Sequence, residues 1–269
     1  MKKRNLLLTL GLSLTGALFL LSLLSAFWTP FDPEALSGAE KLLGPSLRHL
    51  AGTDQFGRDI FSRILKGLGN TFSIALITNL LGGCVGILIG LITGYRGGKL
   101  DAALMRLNDA LTAFPSILLA LVIIGILGPG KRFSLILALS LAFIPSFARV
   151  TRTAAASLRE RNFVIAARLR GMRTPGILFL HVLPNCLDVL LPALTIGFNN
   201  AVLAEASMSY LGIGITPPEP SLGYMLSEAQ SLLRTAPWYA LFTGLAILLL
   251  ILSVSLIGDG LRKLDGRER

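Results

Sequence analysis

TFSIALITNLLGGCVGILIGLITG, residues 71–94, carries no charged side chain over 24 residues, and Tyr95 and Arg96 follow it directly. A stretch of about 20 apolar residues is the length at which an α-helix crosses the hydrocarbon core of a bilayer. In lipid the backbone must satisfy its own N–H and C=O groups, so such a stretch is helical. Working outward, blocks of the same kind recur at Asn5–Phe27, Leu107–Leu127, Ser134–Val150, Leu187–Leu211 and Trp238–Ile257. Of the 269 residues, 53% are hydrophobic and 15% charged, whereas a soluble domain carries about 25% charge. The blocks predict an all-α membrane protein with six transmembrane helices.

Gly82, Gly83, Gly86, Gly90 and Gly94 line the second block, and Pro115, Pro145 and Pro192 fall in or near others. Small residues let helices approach closely. A proline frees a carbonyl that neighbouring protein or a cavity must satisfy. Tight packing and a mobile pathway between helices both account for these residues, and the two are compatible.

Basic residues orient the helices, because segments rich in Lys and Arg stay on the cytoplasmic side. The N-terminal cluster, the 96–106 and 149–173 connections and the tail from Arg262 hold 17 of the 25 Lys and Arg, and the outer segments hold eight. Both termini are therefore expected inside. The net charge of +10 then belongs to the inner face, and nucleic acid is not needed to explain it. Lys2, Lys3 and Arg4 precede an apolar run as in a secretory signal. The run at Asn5–Phe27 is longer than a signal's apolar region and no A-x-A-like site follows it, so it reads as a retained anchor.

Little in the chain suggests catalysis. His49 and His181 lie in different compartments on this topology, and no C-x-x-C or H-E-x-x-H spacing occurs, so zinc is not expected. Cys84 and Cys186 sit in or beside apolar runs and read as small hydrophobes. GILGPGKR, residues 125–132, matches G-x-x-x-x-G-K. It puts Arg132 where a P-loop has Ser or Thr for magnesium, and it follows a span on the outer side instead of a strand. Any ATP that drives this protein must be bound by another subunit.

Intramembrane ionisable groups are costly in lipid and mark sites worth weighing. Asp109 and Asp188 lie near the inner ends of their blocks, where Arg106 or lipid headgroups accommodate them. Glu205, in NNAVLAEASMSYLG, lies deeper, one to two turns after Asn199 and Asn200. These three form either a polar strip lining a cavity or a polar contact between helices. A secondary carrier or channel using Glu205 is the rival reading from another functional class.

The inner connection between the fourth and fifth blocks contains RERNFVIAARLRG, residues 159–171. Gly171 offers a left-handed stop to its helix. Thr174 and Pro175 form a cap and first-turn pair for a second helix, and Pro184 is expected to break that helix before the fifth span. On the first helix Val164, Ala167 and Gly171 share a low-profile face flanked by Arg159, Arg161, Arg168 and Arg170. Small side chains leave room for a partner, and arginines pair with its carboxylates. An interfacial helix binding anionic lipid is the competing reading, with Phe163 and Ile165 as its apolar anchors.

FVIAARLRGMRTPGILFLHVLPN, residues 163–185, resembles the EAA loop of ABC-importer permeases, E-A-A-x3-G-x9-I-x-L-P. Ala166, Ala167, Gly171, Leu183 and Pro184 fall at matching positions, Ile165 replaces the usual glutamate, and His181 stands at the isoleucine position. LAGTDQFGRDIFSRILKG (50–67), GYRGGKLDAALMRLNDALTAFPSILLAL (94–121), EASMSYLGIGITPPEPSLGYML (205–226) and LIGDGLRKLD (256–265) are similar to C-type permeases of peptide and nickel ABC importers, the DppC/OppC/NikC class.

The resemblance implies a type I ABC-importer permease fold, with residues 1–66 as an N-terminal helix and external segment. Residues 67–269 would form a five-helix core carrying a coupling loop at about 151–185. It implies that a coupling helix near Asn162–Gly171 docks on a cytoplasmic ATPase, with Arg159, Glu160, Phe163 and Arg168 completing the docking surface. It further implies a second, B-type permease as heterodimer partner, two ATPase subunits that bind ATP and Mg, and an extracytoplasmic substrate-binding protein. The location implied is the bacterial cytoplasmic membrane. No cofactor and no catalytic residue are expected on this chain. Di- or oligopeptides are the expected substrate, with nickel or a nickel chelate as the runner-up.

The outer segment GTDQFGRD, residues 52–59, has a local logic of its own. Thr53 or Asp54 can cap a short helix running through Ile60, Ile64 and Leu68, whose apolar face is suited to lying on the membrane. Asp54 and Asp59 read as caps or, with Arg58, Pro217 and Pro218, as an external gate or a contact for the binding protein.

Overall fold

The computed structural model describes residues 6–264. The elements in chain order are α1 (Leu6–Phe27), α2 (Ile60–Arg96), α3 (Gly98–Thr112), α4 (Ser116–Leu127), α5 (Arg132–Leu158), α6 (Asn162–Leu169), α7 (Thr174–Gly176), α8 (Leu183–Tyr210), α9 (Leu222–Gln230) and α10 (Pro237–Leu264). A π-helical turn at Ile177–Val182 joins α7 to α8. The described residues form no strand; Thr53 and Asp59 make an isolated antiparallel bridge.

Five helices are long and apolar enough to cross a membrane, and α3 with α4 makes a sixth span only as a pair bent by 86°. The continuous span expected at Leu107–Leu127 is therefore corrected to an elbow. Its cause is Pro115, which has no N–H and disfavours helical geometry at Phe114. The 12 residues of α4 measure about 18 Å at 1.5 Å per residue, short of the bilayer core. Beyond the elbow, α3 is tied to α5 by Arg152, whose Nε and Nη2 donate to Asp101 at 2.5 and 2.6 Å, and by Arg149, which donates to Asp109 at 2.9 Å.

The expected second helix also changes. α2 is one rod of 37 residues from Ile60 and runs through residues 66 and 67. Ile60, Ile64 and Leu68 do not lie on the membrane. They pack with Phe72, Leu222 and Met225 in the largest core cluster, which also draws on α8 and α10. Protein covers this face because α9 folds back onto it: a Cβ added to Gly67 would meet the Leu222 backbone at 3.3 Å.

α2 and α5 make the tightest helix pair. Gly82, Gly86, Gly90 and Gly94 recur every fourth residue, one per turn on a single α2 face. A Cβ at Gly82 would lie 2.8 Å from the Ser140 carbonyl oxygen, one at Gly86 2.6 Å from Phe147 Cβ, and one at Gly90 2.5 Å from the Ala148 carbonyl oxygen. One at Gly94 would collide with the Arg152 carbonyl oxygen. α1 docks on α10 by the same means, with Gly11 against Ile257 and Gly260 against Leu8.

Candidate functional site

The inner end of the molecule is built around α6. α5 continues to Leu158, and Arg159–Arg161 turn the chain into α6. The N–H of Arg170 bonds the Ala166 carbonyl at 3.1 Å, and the N–H of Met172 bonds that of Ala167 at 3.1 Å. Gly171 has φ +77°, with open space where a Cβ would stand. The glycine is there for its backbone conformation, as the stop signal required.

The faces of α6 are reversed from the expectation. Val164 and Ala167 are buried at 0% and 5% exposure and join Leu91 and Tyr95 of α2, Ala155 of α5, and Ile177 and Val182 of the π turn. They hold the loop to its own protein and are not available to a partner. The exposed face carries Phe163, Ile165, Ala166 and Leu169, with Leu169 83% exposed. Arg168 donates to the Tyr95 hydroxyl at 3.3 Å, and its guanidinium lies 5.5 Å from the centre of that ring. Arg159 pairs with the adjacent Glu160 at 2.9 Å on the surface. Leu169 was missed because both faces of α6 carry apolar side chains, so periodicity alone does not say which one packs inward.

Pro184 does not break the following helix. Thr174–Tyr210 is a continuous rod of 37 residues, with Arg173 in the cap position and Thr174 and Pro175 already in the first turn. A proline at 184 cannot donate to the Leu180 carbonyl and would clash with it in α register. The backbone widens instead: the N–H of Leu183 bonds the Leu178 carbonyl, five residues back. Asn185 Nδ2 donates to the His181 carbonyl at 2.7 Å. The loop is therefore joined to α8 through a helix, not through a flexible link.

A cleft of about 910 Å3 opens between the α3–α4 elbow, α5 and α8, lined by Thr112, Pro115, Phe143, Ser146, Thr153 and Asn200 among others. Of the three polar residues expected on α8, Asn200 alone opens onto it. Asn199 Nδ2 donates to Ser255 of α10 at 2.8 Å. Glu205 is completely buried and accepts from Ser209 Oγ at 2.8 Å. That same Oγ accepts from the N–H of Ile215 at 3.1 Å, so Glu205 anchors the loop leaving α8. The strip thus separates into one cleft residue and two internal contacts.

On the outer side, Asp59 caps α2, its Oδ2 accepting from the N–H of Ser62 at 2.7 Å, while Oδ1 shares a 2.9 Å hydrogen bond with His49 Nδ1. Asp54 accepts from the N–H groups of Phe56 and Arg58 at 2.8 and 3.0 Å, and from Arg58 Nε at 2.6 Å. Arg58 and Arg63 donate to Glu228 of α9 at 3.0 and 2.9 Å, and the Tyr239 hydroxyl of α10 donates to it at 2.8 Å. Burial opposes the charge on Arg58, but Asp54 and Glu228 outweigh it and raise its pKa above the ordinary guanidinium value. Asp54, Arg58 and Asp59 are thus engaged internally, whereas Pro217 and Pro218 stand exposed on the loop after α8. Arg63 and Glu228 were not singled out in the sequence, although an arginine in the first turns of an apolar helix signals a buried acidic partner.

Residues 86–264, which hold the α2 inner half, the elbow, the cleft and α6, match the family described as "Binding-protein-dependent transport system inner membrane component". The chain belongs to this family. It is an ABC-importer permease, a multi-pass membrane protein and a transport subunit. Among curated relatives, the dipeptide transport system permease protein DppC of Alkalihalophilus pseudofirmus is 38% identical over 260 residues, covering 97% of this chain and 85% of the relative. DppC of Haemophilus influenzae is 39% identical over 94% of this chain and 88% of the relative. The nickel transport system permease protein NikC of Escherichia coli is 34% identical over 94% of this chain and 91% of the relative. A chain of the solved MetNI methionine ABC transporter, in an inward-facing conformation, has the same fold. It superposes with a TM-score of 0.62 at 20% identity, covering 77% of this permease and 97% of that chain.

Proposed function

We propose that this permease is one of two membrane subunits of a bacterial importer for di- or oligopeptides in the cytoplasmic membrane, moved by two separate ATPase subunits that hold ATP and Mg. It binds no cofactor itself. A B-type permease completes the pathway, and an extracytoplasmic binding protein delivers substrate. The observation that carries this reading is the two-sided packing of α6. Its inner face grips α2 and the π turn, while its outer face leaves Phe163, Ala166 and Leu169 open. A partner that closes over Leu169 and pulls on α6 displaces α2 through Leu91 and Tyr95, and α8 through Ile177 and Val182. α5 follows α2, because the glycine face leaves no slack between them. The cleft between the elbow and α8 is the space such a movement opens and closes.

The peptide substrate is supported by relatives whose names are dipeptide and peptide permeases at 38–43% identity, against 34% for the nickel permease. The cleft lining of hydroxyl, amide and aromatic groups also suits a peptide backbone.

The test is uptake into proteoliposomes holding this chain with the permease, ATPases and binding protein encoded beside it. Labelled dipeptide is expected to enter only with ATP and binding protein. Leu169→Glu is expected to lower the rate about tenfold, the effect of one interface anchor, while the chain still inserts and purifies intact. Uptake that persists without ATP hydrolysis would support a carrier using Glu205 instead. Nickel entry without peptide entry would move the substrate to the runner-up.

A further inference from the structure

A second groove, of about 320 Å3, lies between the inner end of α2 and the start of the α7–α8 rod, lined by Leu88, Ile92, Tyr95, Arg96, Pro175 and Phe179 among others. Leu91 and Leu178 form a buried floor, and Leu88, Ile92 and Phe179 are exposed along its edges. Leu88 and Arg96 are separated by about 12 Å along the helix axis. α2 ends at Arg96, and on the orientation expected from the Lys and Arg distribution the apolar part lies within the inner leaflet and Arg96 at headgroup level. The Arg96 side chain is exposed and, among the described residues, has no hydrogen bond or ion pair. The same holds for the Arg173 side chain at the start of α7.

We propose that this groove binds an anionic phospholipid of the inner leaflet. An acyl chain lies against Leu88, Ile92 and Phe179, and the phosphate pairs with Arg96. Two features favour a lipid over a protein partner. The groove runs along the inner end of the apolar block of α2, where Leu88 and Ile92 precede Gly94, a stretch of the length that an acyl layer surrounds. At its rim the arginine lacks the counter-charge that an anionic headgroup supplies, through a charge-assisted and bidentate contact. Tyr95 forms one wall of the groove and also carries Arg168 of α6. On the reading of α6 as the coupling helix, the bound lipid therefore steadies the α2–α6 contact. Binding itself does not depend on that reading or on the substrate.

Native mass spectrometry of the full chain, in the complex in which it purifies, tests this with phosphatidylglycerol and phosphatidylcholine of identical acyl chains. Phosphatidylglycerol is expected to be retained about fivefold more strongly, the effect of one basic side chain at an anionic surface. Arg96→Gln is expected to abolish that preference, and Arg106→Gln, an exposed inner arginine outside the groove, to keep it. A photo-crosslinking residue in place of Phe179 is expected to label lipid. Equal retention of the two lipids, an unchanged preference in R96Q, or an equal loss in R106Q overturns the site. So does crosslinking from position 179 to a partner subunit instead of lipid. None of these outcomes bears on peptide uptake, so the lipid site and the transport reading fail separately.

Discussion

Glu228 accepts from three donors supplied by three parts of the chain: Arg58 before α2, Arg63 within it and Tyr239 at the start of α10. Arg63 is 1% exposed, with Glu228 at 2.9 Å and Asp54 at 3.8 Å as its acids, and removing the nearer partner of a buried cation is far costlier than an apolar replacement of the pair. Glu228→Gln is therefore expected to destabilise the protein by about 3 kcal/mol or more, seen as a lowered unfolding temperature of the purified complex. An unchanged temperature would mean that the cluster is solvated and structurally idle. The two alanines of α6 separate in the same way. Ala167→Trp is expected to dislodge the loop from Leu91 and Tyr95, so the chain's yield and unfolding temperature fall. Ala166→Trp, on the exposed face, is expected to leave both intact and to block transport. Equal stability of the two variants would show that Ala167 is not held inside.

At the level of elements, the α2–α5 pair turns a glycine-rich sequence into a geometric constraint. Glycines at a spacing of four bring the two backbones to a separation that no side chain allows. Gly90→Val is expected to lower stability by about 1–3 kcal/mol through overpacking. Gly125→Val in α4, with nothing near its added Cβ, serves as the control and is expected to be far milder. Thermal unfolding of the two variants side by side checks the difference. The prolines show why a residue type does not by itself determine local structure. Pro115 breaks its helix, Pro145 and Pro192 sit inside α5 and α8, and Pro184 is absorbed by a π turn. Which outcome follows depends on how the surrounding backbone accommodates the missing N–H. Polar side chains gather at these sites: Asn185 Nδ2 donates to the His181 carbonyl beside Pro184, and Asn108 Nδ2 reaches the carbonyl of Pro145 itself at 3.3 Å.

At the level of the whole molecule, the elbow, α5 and α8 enclose the cleft, and Asn200 is its one residue from the polar strip. With Cys84 and Cys186 replaced, Asn200→Cys is expected to react with a water-soluble thiol reagent many times faster than Asn199→Cys or Glu205→Cys. Mass spectrometry of the labelled chain measures the rates. Similar rates at all three would restore the continuous strip that the helix pattern suggested.

The sequence by itself determined where the apolar stretches lie and on which side its basic residues gather. Apolar block length set the helical spans, because a lipid-exposed backbone has no other way to satisfy its hydrogen bonds. The distribution of Lys and Arg set the expected orientation, and the EAA-like spacing marked the loop in which α6 forms. Tertiary structure alone decided which face of α6 is hidden, because Val164–Ala167 and Ala166–Leu169 are equally plausible apolar stripes until Leu91 and Tyr95 are in place. It alone showed that Ile60, Ile64 and Leu68 meet α9 and not lipid, and that Arg58, which pairs with Asp54, is joined to Glu228, 170 positions away. Local chemistry is written in neighbouring residues, whereas burial and ion pairing depend on partners that only the folded chain brings together.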